Sequence, residues 1–295
     1  MEHIPSTPSA FAGSPVDDMV ASADTRATAT QGSAAAPRVA LVTGAGKRLG
    51  RAIALALAQD GWNIGVHCRD SVAEAEQTVQ DIQALDRRRA VVLQADLDDA
   101  DQCQTLVPRL ADALGPVSGL VNSASRFEYD DIRSFTPESL QQHLVPNLMA
   151  PLLLAQSLVS QLPAAPVQGV IVNLLDQKLF NLNPDFLSYT LSKAALSTAT
   201  TMLAQALAPR MRVVGVAPGL TLPSYLQDEA TFAHAHRTLS PLGASSTAQD
   251  IADTVVFAMK TRSITGTTLL VDGGQHLLGL PRDASLMDRA PLTGR

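Results

Sequence analysis

Short apolar runs alternate with amphipathic stretches along this chain from about residue 38 onward. Apolar runs with the length of buried strands occur at residues 38–43, 63–68, 90–94, 119–122, 167–175, 212–216 and 267–271. Helical periodicity occurs at residues 49–60, 72–85, 99–114, 137–162, 188–207 and 248–260. Strands that alternate with helices of ten or more residues predict a parallel sheet with right-handed crossovers. The pattern therefore predicts a single α/β domain, doubly wound, with seven parallel strands and helices on both faces.

Three segments depart from this alternation. The helix at 137–162 contains Pro146 and Pro151, which we expect to kink it. Residues 218–246 are rich in Pro, Gly and Ser and are predicted to form a loop or lid. Residues 1–36 are too poor in apolar periodicity to form a core, and we predict a disordered N-terminal tail there. The domain is expected to span residues 37–280, and the polar residues 281–295 to form a C-terminal tail.

Composition and charge narrow the class of protein. Hydrophobic residues make up 46% of the chain, which is enough for a sizeable core, and the net charge of −6 offers no basic footprint for nucleic acid. Cys68 and Cys103 are the two cysteines, too few for a disulfide framework or a metal cluster. No unbroken apolar run reaches the ~18 residues of a membrane span, and the N-terminus lacks the apolar core of a signal peptide. We expect a soluble cytoplasmic protein without metal, nucleic-acid or membrane partners.

A glycine-bearing turn follows the first strand, with the sequence Thr43-Gly44-Ala45-Gly46-Lys47-Arg48-Leu49-Gly50. Such a turn lets the backbone approach a pyrophosphate, which then lies at the N-terminus of the next helix. In open parallel sheets, ligands bind beyond the carboxyl ends of the strands. The turn therefore predicts a Rossmann-type dinucleotide site at that edge.

The end of the second strand indicates which dinucleotide binds. An acidic residue there would select NAD by binding the ribose 2′-hydroxyl. This chain has Cys68 at that position, followed by Arg69, and Arg69 and Lys47 are suited to pair with a 2′-phosphate. Asp70 is the counter-argument, although it has room to turn toward solvent or to cap the second helix. We predict NADPH.

Tyr189 and Lys193 lie four residues apart on the helix predicted over residues 188–207, so they share one helix face. A tyrosine has a pKa of about 10, and a neighbouring ammonium lowers it, which makes the phenol a general acid near neutral pH. A surface pair without function is the alternative for this spacing alone. Its place after the fifth strand, in a chain with a nucleotide turn, favours catalysis.

Together these segments resemble the short-chain dehydrogenase/reductase family over about residues 37–278. The resemblance implies that Tyr189 is the proton donor, that Lys193 modulates it and binds the nicotinamide ribose, and that Asn147 supports the proton path. It also implies a homotetramer joined through the long fourth and fifth helices. Other cofactor contacts implied by the resemblance are Gly44, Lys47, Arg48, Leu49, Gly50, Arg69, Asp96, Leu97, Asn122, Ala124, Pro218 and Gly219.

Three residues depart from the general family pattern and resemble the pteridine reductase subgroup. Arg48 replaces the middle glycine of the turn, Asp176 replaces a catalytic serine, and Phe127 lies where an aromatic ring stacks on a pterin. An ionised carboxylate would oppose the oxyanion of ketone reduction, because it only accepts hydrogen bonds. Reduction of a C=N bond instead needs a proton at nitrogen, which a carboxyl group working with Tyr189 can relay.

These observations predict an NADPH-dependent reductase of a dihydropterin, with dihydromonapterin, dihydrobiopterin and dihydrofolate left open. Asp176, Tyr189, Phe127 and Ser125 are the predicted substrate contacts. The alternatives are a carbonyl reductase, for example of a 3-oxoacyl thioester, and a non-catalytic NADPH-binding sensor. Some pteridine reductases bring a C-terminal arginine from a neighbouring subunit, but Arg282 lies three residues too late for that role.

Overall fold

A single parallel sheet organises the part of the chain that the computed structural model describes, residues 38–85, 87–162 and 169–287. Its strands are β1 (Arg38–Val42), β2 (Trp62–Cys68), β3 (Ala90–Gln94), β4 (Val117–Asn122), β5 (Gly169–Leu174), β6 (Met211–Pro218) and β7 (Thr268–Val271). Their order is β3-β2-β1-β4-β5-β6-β7, with every neighbouring pair parallel. This confirms the predicted doubly wound, seven-stranded fold. The disorder predicted for residues 1–36 lies outside the described residues.

Eight α-helices are present in the described ranges. They are α1 (Arg48–Gln59), α2 (Val72–Gln83), α3 (Ala100–Leu114), α4 (Pro137–Leu144), α5 (Ala150–Gln161), α6 (Leu187–Leu207), α7 (Glu229–Thr238) and α8 (Ala248–Lys260). The region 218–246, predicted as a loop or lid, contains the helix α7, which the sequence did not predict. Asp228 caps this helix by accepting a hydrogen bond from the Thr231 amide at 2.7 Å, a start signal that the surrounding Pro, Gly and Ser residues obscured.

Two apolar layers cover the two faces of the sheet. On one face, α1, α2 and α8 contribute Ile53, Leu57, Ile82, Ile251 and Val255. On the other face, α3, α5 and α6 contribute Leu106, Leu110, Leu154, Leu158 and Ala204. Because both faces are covered, β2 and β5 are buried along their whole length and β1, β4 and β6 along most of it, whereas the outer strands β3 and β7 are only partly buried. The polar side chains of the candidate site lie at the end of the sheet formed by the carboxyl ends of the strands.

The long helical stretch between β4 and β5 is interrupted, as its prolines predicted. A π-helical turn at Val145–Met149 separates α4 from α5. Turns of this kind occur mostly as single insertions in α-helices, often at functional sites. Asn147 lies within the turn and is 1% exposed. The interruption therefore turns a polar residue into the domain rather than breaking the helix.

The same stretch, Pro137–Gln161, has the length and mean hydropathy of a membrane span, 25 residues and 1.2. Polar residues such as Glu138, Gln141 and Gln142 interrupt its apolar run, so it is not an unbroken apolar span. In the structure, Ala150, Leu154 and Leu158 are fully buried in the apolar layer beside α3. Its apolar face is thus used to build the core of the domain.

Candidate functional site

Two adjoining cavities open at the carboxyl edge of the sheet, with volumes of about 720 and 300 Å³. The larger one follows the glycine turn and the ends of β2 and β3, and we call it the nucleotide groove. The smaller one contains Asp176, Tyr189 and Lys193, and we call it the substrate pocket. The two share the residues Arg48, Leu49, Ser123, Ser125 and Phe127. The shared residues make the two cavities direct neighbours.

The glycine turn has the close contacts that its predicted role requires. Gly44 has φ +65°, and a Cβ atom there would lie 3.1 Å from the Cα atom of Ala124. A Cβ atom on Gly50 would lie 2.2 Å from the carbonyl oxygen of Gly44. Arg48, where the family pattern has glycine, adopts a left-handed φ of +51°. Arg48 thus keeps a left-handed backbone conformation without being glycine, and its Cβ atom adds a steric cost that glycine would avoid.

Thr43 and His67, which the sequence did not indicate as site residues, hold this turn in place. The Thr43 hydroxyl accepts hydrogen bonds from the amides of Ser123 and Ala124 at 2.9 and 3.0 Å. His67 Nδ1 accepts one from the Gly44 amide at 3.1 Å, while His67 Nε2 lies 3.1 Å from the Ala95 carbonyl oxygen. Burial lowers the pKa of His67 to about 4. The imidazole is therefore neutral, with Nε2 as donor and Nδ1 as acceptor.

The cations predicted to bind the 2′-phosphate lie at the expected end of the groove, each beside a carboxylate. Arg69 Nε is 2.8 Å from Asp70 Oδ2, and Lys47 Nζ is 2.5 Å from Glu74 Oε1. The Asp70 side chain is 80% exposed, so it faces solvent, which is the first of the two possibilities that the sequence left open for it. The other alternative, a cap for the second helix, is wrong, because the residue at the N-cap position is Ser71.

Asp96 and Leu97 line the nucleotide groove, as predicted, whereas Asn122 does not. Asn122 is 3% exposed, and its Nδ2 donates to Asn173 Oδ1 at 2.8 Å. Asn173 Nδ2 donates in turn to the Thr200 hydroxyl at 2.9 Å. In this structure Asn122 ties β4 to β5 and α6 rather than facing the groove.

Tyr189 and Asp176 meet in the substrate pocket. The Tyr189 hydroxyl donates to Asp176 Oδ2 at 2.7 Å. Burial raises the pKa of Asp176, and burial together with the Asp176 carboxylate raises the pKa of Tyr189 well above its usual value. The expected lowering of the tyrosine pKa is therefore not present in this structure. The nearest charge to the phenol is the carboxylate thirteen residues earlier, not the ammonium.

Lys193 lies on the same helix face as Tyr189, as their spacing predicted. Its Nζ atom donates to the Leu174 carbonyl oxygen at 2.7 Å and lies 5.8 Å from the centre of the Tyr189 ring. Burial lowers the pKa of Lys193 to about 8. The side chain thus places a titratable ammonium at the end of β5, within the pocket.

Asn147 organises the loop that follows β4. Its Oδ1 accepts from the Arg126 amide at 2.8 Å and from the Ser125 hydroxyl at 3.1 Å. Its Nδ2 donates to the Arg126 carbonyl oxygen at 3.0 Å and to the Ser192 hydroxyl at 2.9 Å. Asn147 therefore joins the loop that carries Ser125 to the helix that carries Tyr189.

Phe127 stands at the wall between groove and pocket. Its ring stacks on Phe186 with a centroid separation of 4.3 Å and meets Tyr189 edge-on at 4.7 Å. The predicted substrate contact Ser125 is exposed and lines both cavities as well. Phe127 is only partly buried, so it contributes a ring to both cavities in addition to packing against its neighbours.

Pro218 and Gly219 form one wall of the substrate pocket at the end of β6. The Gly219 amide donates to the Val271 carbonyl oxygen at 2.9 Å, and a Cβ atom on Gly219 would lie 2.8 Å from the Cα atom of Asp272. Arg48 spans the cleft to this wall, since its Nη2 donates to the Pro223 carbonyl oxygen at 2.8 Å. Sequence spacing gave no signal for this contact, because 175 residues separate the two partners.

A glycine turn at a helix start, a groove beyond the carboxyl ends of parallel strands, and an adjoining Tyr-Lys pocket define a nucleotide-dependent oxidoreductase. The chain belongs to the short chain dehydrogenase family, whose model matches residues 38–232. The predicted family membership is confirmed. The chain is therefore an NADP-dependent reductase of this family, in line with the NADP that is present in the solved structure of a relative.

Three relatives illustrate the range of activities near this chain. The solved structure of FolM alternative dihydrofolate reductase 1 from Brucella suis, in complex with NADP, is 40% identical with a TM-score of 0.78, and covers 82% of this chain and 96% of its own. Pteridine reductase 1 of Leishmania tarentolae is 31% identical over 81% of this chain and 96% of its own length. The 3-oxoacyl-(acyl-carrier-protein) reductase FabG of Staphylococcus aureus is also 31% identical, over 81% of this chain and 98% of its own length.

Proposed function

We propose that this protein reduces the C=N bond of a dihydropterin with NADPH, giving a tetrahydropterin. The observation that carries the proposal is the 2.7 Å hydrogen bond from the Tyr189 hydroxyl to Asp176 Oδ2 in the substrate pocket. A carboxyl group at this position suits a reaction that ends with a proton on nitrogen. The likeness to a dihydrofolate reductase and to a pteridine reductase supports the same substrate class.

The nucleotide groove fits NADPH on two features of the chain. Gly44 and Gly50 let the turn pack tightly against Ala124 and against its own backbone, which brings the start of α1 to the groove where a pyrophosphate would bind. Arg69 and Lys47 place two cations at the far end for a 2′-phosphate. When bound, the cofactor supplies the hydride that is added to the substrate carbon.

Proton delivery falls to Asp176 and Tyr189. Burial favours the protonated form of both groups, since the pKa of each is raised. As the carbon of the C=N bond gains hydride, its nitrogen takes one proton from this pair, and water replaces it. The product then carries one new C–H and one new N–H bond. Lys193, held by the Leu174 carbonyl oxygen and 5.8 Å from the centre of the Tyr189 ring, places an ammonium in the same pocket.

Phe127 and Asp176 select a flat, polar heterocycle. A ring at the wall of the pocket offers a stacking surface for a bicyclic substrate. A carboxyl group beside it accepts hydrogen bonds from the N–H groups along the edge of a pterin. A pocket of about 300 Å³ is at the lower end of the range for small-molecule sites, which suits a compact bicyclic ring.

The proposal is tested with a substrate panel followed by the absorbance of NADPH. We expect turnover with at least one of dihydromonapterin, dihydrobiopterin and dihydrofolate, and none with 3-oxoacyl thioesters. Tyr189→Phe and Asp176→Asn should each lower kcat by about 10²- to 10⁴-fold, the usual contribution of general acid catalysis. Together they should lower it by less than the product, because residues that act as a unit are not additive.

Asp176→Ser discriminates between the two reductase reactions. It restores the hydroxyl that ketone-reducing members carry, so it should weaken pterin reduction and favour carbonyl reduction. Carbonyl reduction is the second candidate, supported by the likeness to a 3-oxoacyl reductase. Unchanged pterin turnover in Asp176→Ser, or a wild-type enzyme that reduces ketones and no pterin, would transfer the assignment to that candidate.

A further inference from the structure

The segment after β7 returns to the substrate pocket of its own chain. Five of its residues line the pocket together with Asp176 and Tyr189, namely Gln275, Leu280, Asp283, Ala284 and Ser285. Leu286 is 6% exposed and packs in the apolar cluster of Phe186 and Tyr189. Residues 280–287, which we call the C-terminal wall, therefore close one side of the pocket. The sequence predicted a C-terminal tail over residues 281–295; its part up to residue 287 packs against the domain, and residues 288–295 lie outside the described residues.

Two ion pairs attach the C-terminal wall to the domain. Lys178 Nζ lies 3.0 Å from Asp283 Oδ2, and the lysine side chain is only 3% exposed. Arg282 Nε lies 3.0 and 2.8 Å from the two carboxylate oxygens of Asp185. The Asp283 amide also donates to Asp185 Oδ2 at 2.8 Å. A buried ammonium requires a partner charge, so Lys178 depends on Asp283 for its stability in this position.

The first of these pairs is joined directly to the proton-delivery residues. The Lys178 amide donates to Asp176 Oδ1 at 2.8 Å, in the 3₁₀ turn Gln177–Phe180 that follows Asp176. Lys178 Nζ also donates to Asn183 Oδ1 at 2.5 Å and lies 5.6 Å from the centre of the Phe186 ring. The negative charge of Asp283 contributes to raising the pKa of Asp176 and Tyr189, which agrees with its location beside them.

We propose that Lys178 and Asp283 are a positioning pair that fixes the C-terminal wall and thereby limits the substrate pocket to a compact ring system. This inference rests on the proposed function, since it assigns a determinant of substrate size to the same site. With the pair intact, the wall keeps the pocket at about 300 Å³. Without it, the wall loses its attachment to the turn that holds Asp176, and bulkier substrates gain access.

The decisive variant is the double substitution Lys178→Met with Asp283→Asn. Replacing both partners leaves no unpaired buried charge, so the fold should be kept even where Lys178→Met alone destabilises it. We expect KM for the dihydropterin to rise about tenfold, equivalent to about 1.4 kcal/mol of binding free energy, and by a larger factor than kcat falls, since Asp283 lines the pocket beside Asp176 and Tyr189. The Kd of NADPH, followed by its fluorescence, should not change. Turnover of a pterin with a bulky side chain should fall less than that of a compact one.

Lys260→Met is the matched control, because it removes a lysine ion pair with Asp60 at the opposite edge of the sheet. It should leave KM, kcat and substrate range unchanged. A double variant with the wild-type KM and substrate range would overturn the proposal. A loss of NADPH affinity in parallel with KM would also overturn it, since a general structural defect moves both.

Hydrogen exchange separates this inference from the reaction itself. Backbone amides of residues 280–287 should exchange faster in the double variant than in the wild type, with no substrate present. Suppose that exchange is faster in the double variant but the wild-type enzyme reduces no pterin. The positioning role of the pair would then be supported, and the proposed substrate would be refuted. Unchanged exchange would refute the positioning pair whatever the substrate is.

Discussion

The Asp130 carboxylate caps the helix that carries Tyr189, through the backbone amide of Ser188. Asp130 Oδ1 accepts from this amide at 2.9 Å, and Oδ2 accepts from the hydroxyls of Ser188 and Ser139, the latter at 2.9 Å. The residue at the N-cap position of α6 is Phe186, which has a left-handed φ of +55° and no side-chain cap of its own. The helix start is therefore completed by a residue 58 positions earlier in the chain.

Asp130→Ala should destabilise the fold and lower kcat together. Loss of the carboxylate leaves buried donors without a partner, which costs about 1 to 3 kcal/mol of unfolding free energy per group. Tyr189 lies in the first turn of the same helix, so its place beside Asp176 should loosen. Urea unfolding and steady-state kinetics measure the two effects. Thr247→Ala, which removes the cap of the distant helix α8, is the control and should cost stability without changing kcat.

Preference for NADPH over NADH should depend on Arg69. Arg69→Ala should reduce the ratio of kcat/KM values for the two cofactors by about 10- to 100-fold, as expected for a hydrogen bond to a charged group. Arg38→Ala is a matched control, because Arg38 pairs with Asp60 at the amino end of the strands. A wild-type enzyme that prefers NADH would contradict the assignment.

Activity should fall on the alkaline side of the pH profile near pH 8. Burial lowers the pKa of Lys193 to about 8, so its positive charge is present below that pH and is lost as pH rises through it. The profile of kcat/KM reports groups of the free enzyme and is the appropriate measurement. Lys193→Met should lower the plateau and remove this limb, whereas Lys260→Met should reproduce the wild-type profile.

Stability should decrease on the acid side because of His67. Its pKa is lowered from 6.5 to about 4 in the folded state, so the unfolded chain binds the proton first. The contribution of neutral His67 to the free energy of unfolding is fully present above pH 6.5 and is lost as pH falls toward 4. The loss is at most about 1.4 kcal/mol per pH unit. Urea unfolding of His67→Gln should show a flatter dependence in this window, and His234→Gln at an exposed site should match the wild type.

A homotetramer remains our proposal for the assembly. The helices α5 and α6 expose apolar side chains, with Leu152 37%, Leu191 46% and Met202 63% exposed. Light scattering at micromolar concentration should give four times the mass of the chain, and Met202→Asp should reduce it. Leu242→Asp, at a site 82% exposed on another segment, should leave the mass unchanged. A monomeric wild type would reject the proposal.

Features set by neighbouring residues were predictable from the sequence, and features set by distant contacts were not. The shared face of Tyr189 and Lys193 follows from a spacing of four on a helix. The contact of His67 with Gly44 depends on the pairing of β1 with β2, which a single sequence does not display. The same limit explains the wrong sign for the Tyr189 pKa. Both Asp176 and Lys193 were expected beside Tyr189, but the direction of the Tyr189 pKa shift depends on burial and on the distance to each charge, which only the folded chain shows.

The π-helical turn at Val145–Met149 has a consequence for how this protein tolerates change in length. A π turn holds one residue more than an α turn, and each residue of an α-helix advances the chain by about 100° around the axis. Deleting one residue from this turn would restore a continuous α-helix, but it would rotate Asn147 away from Arg126 and Ser192. Insertions and deletions should therefore be selected against here even where the helix itself would gain regularity.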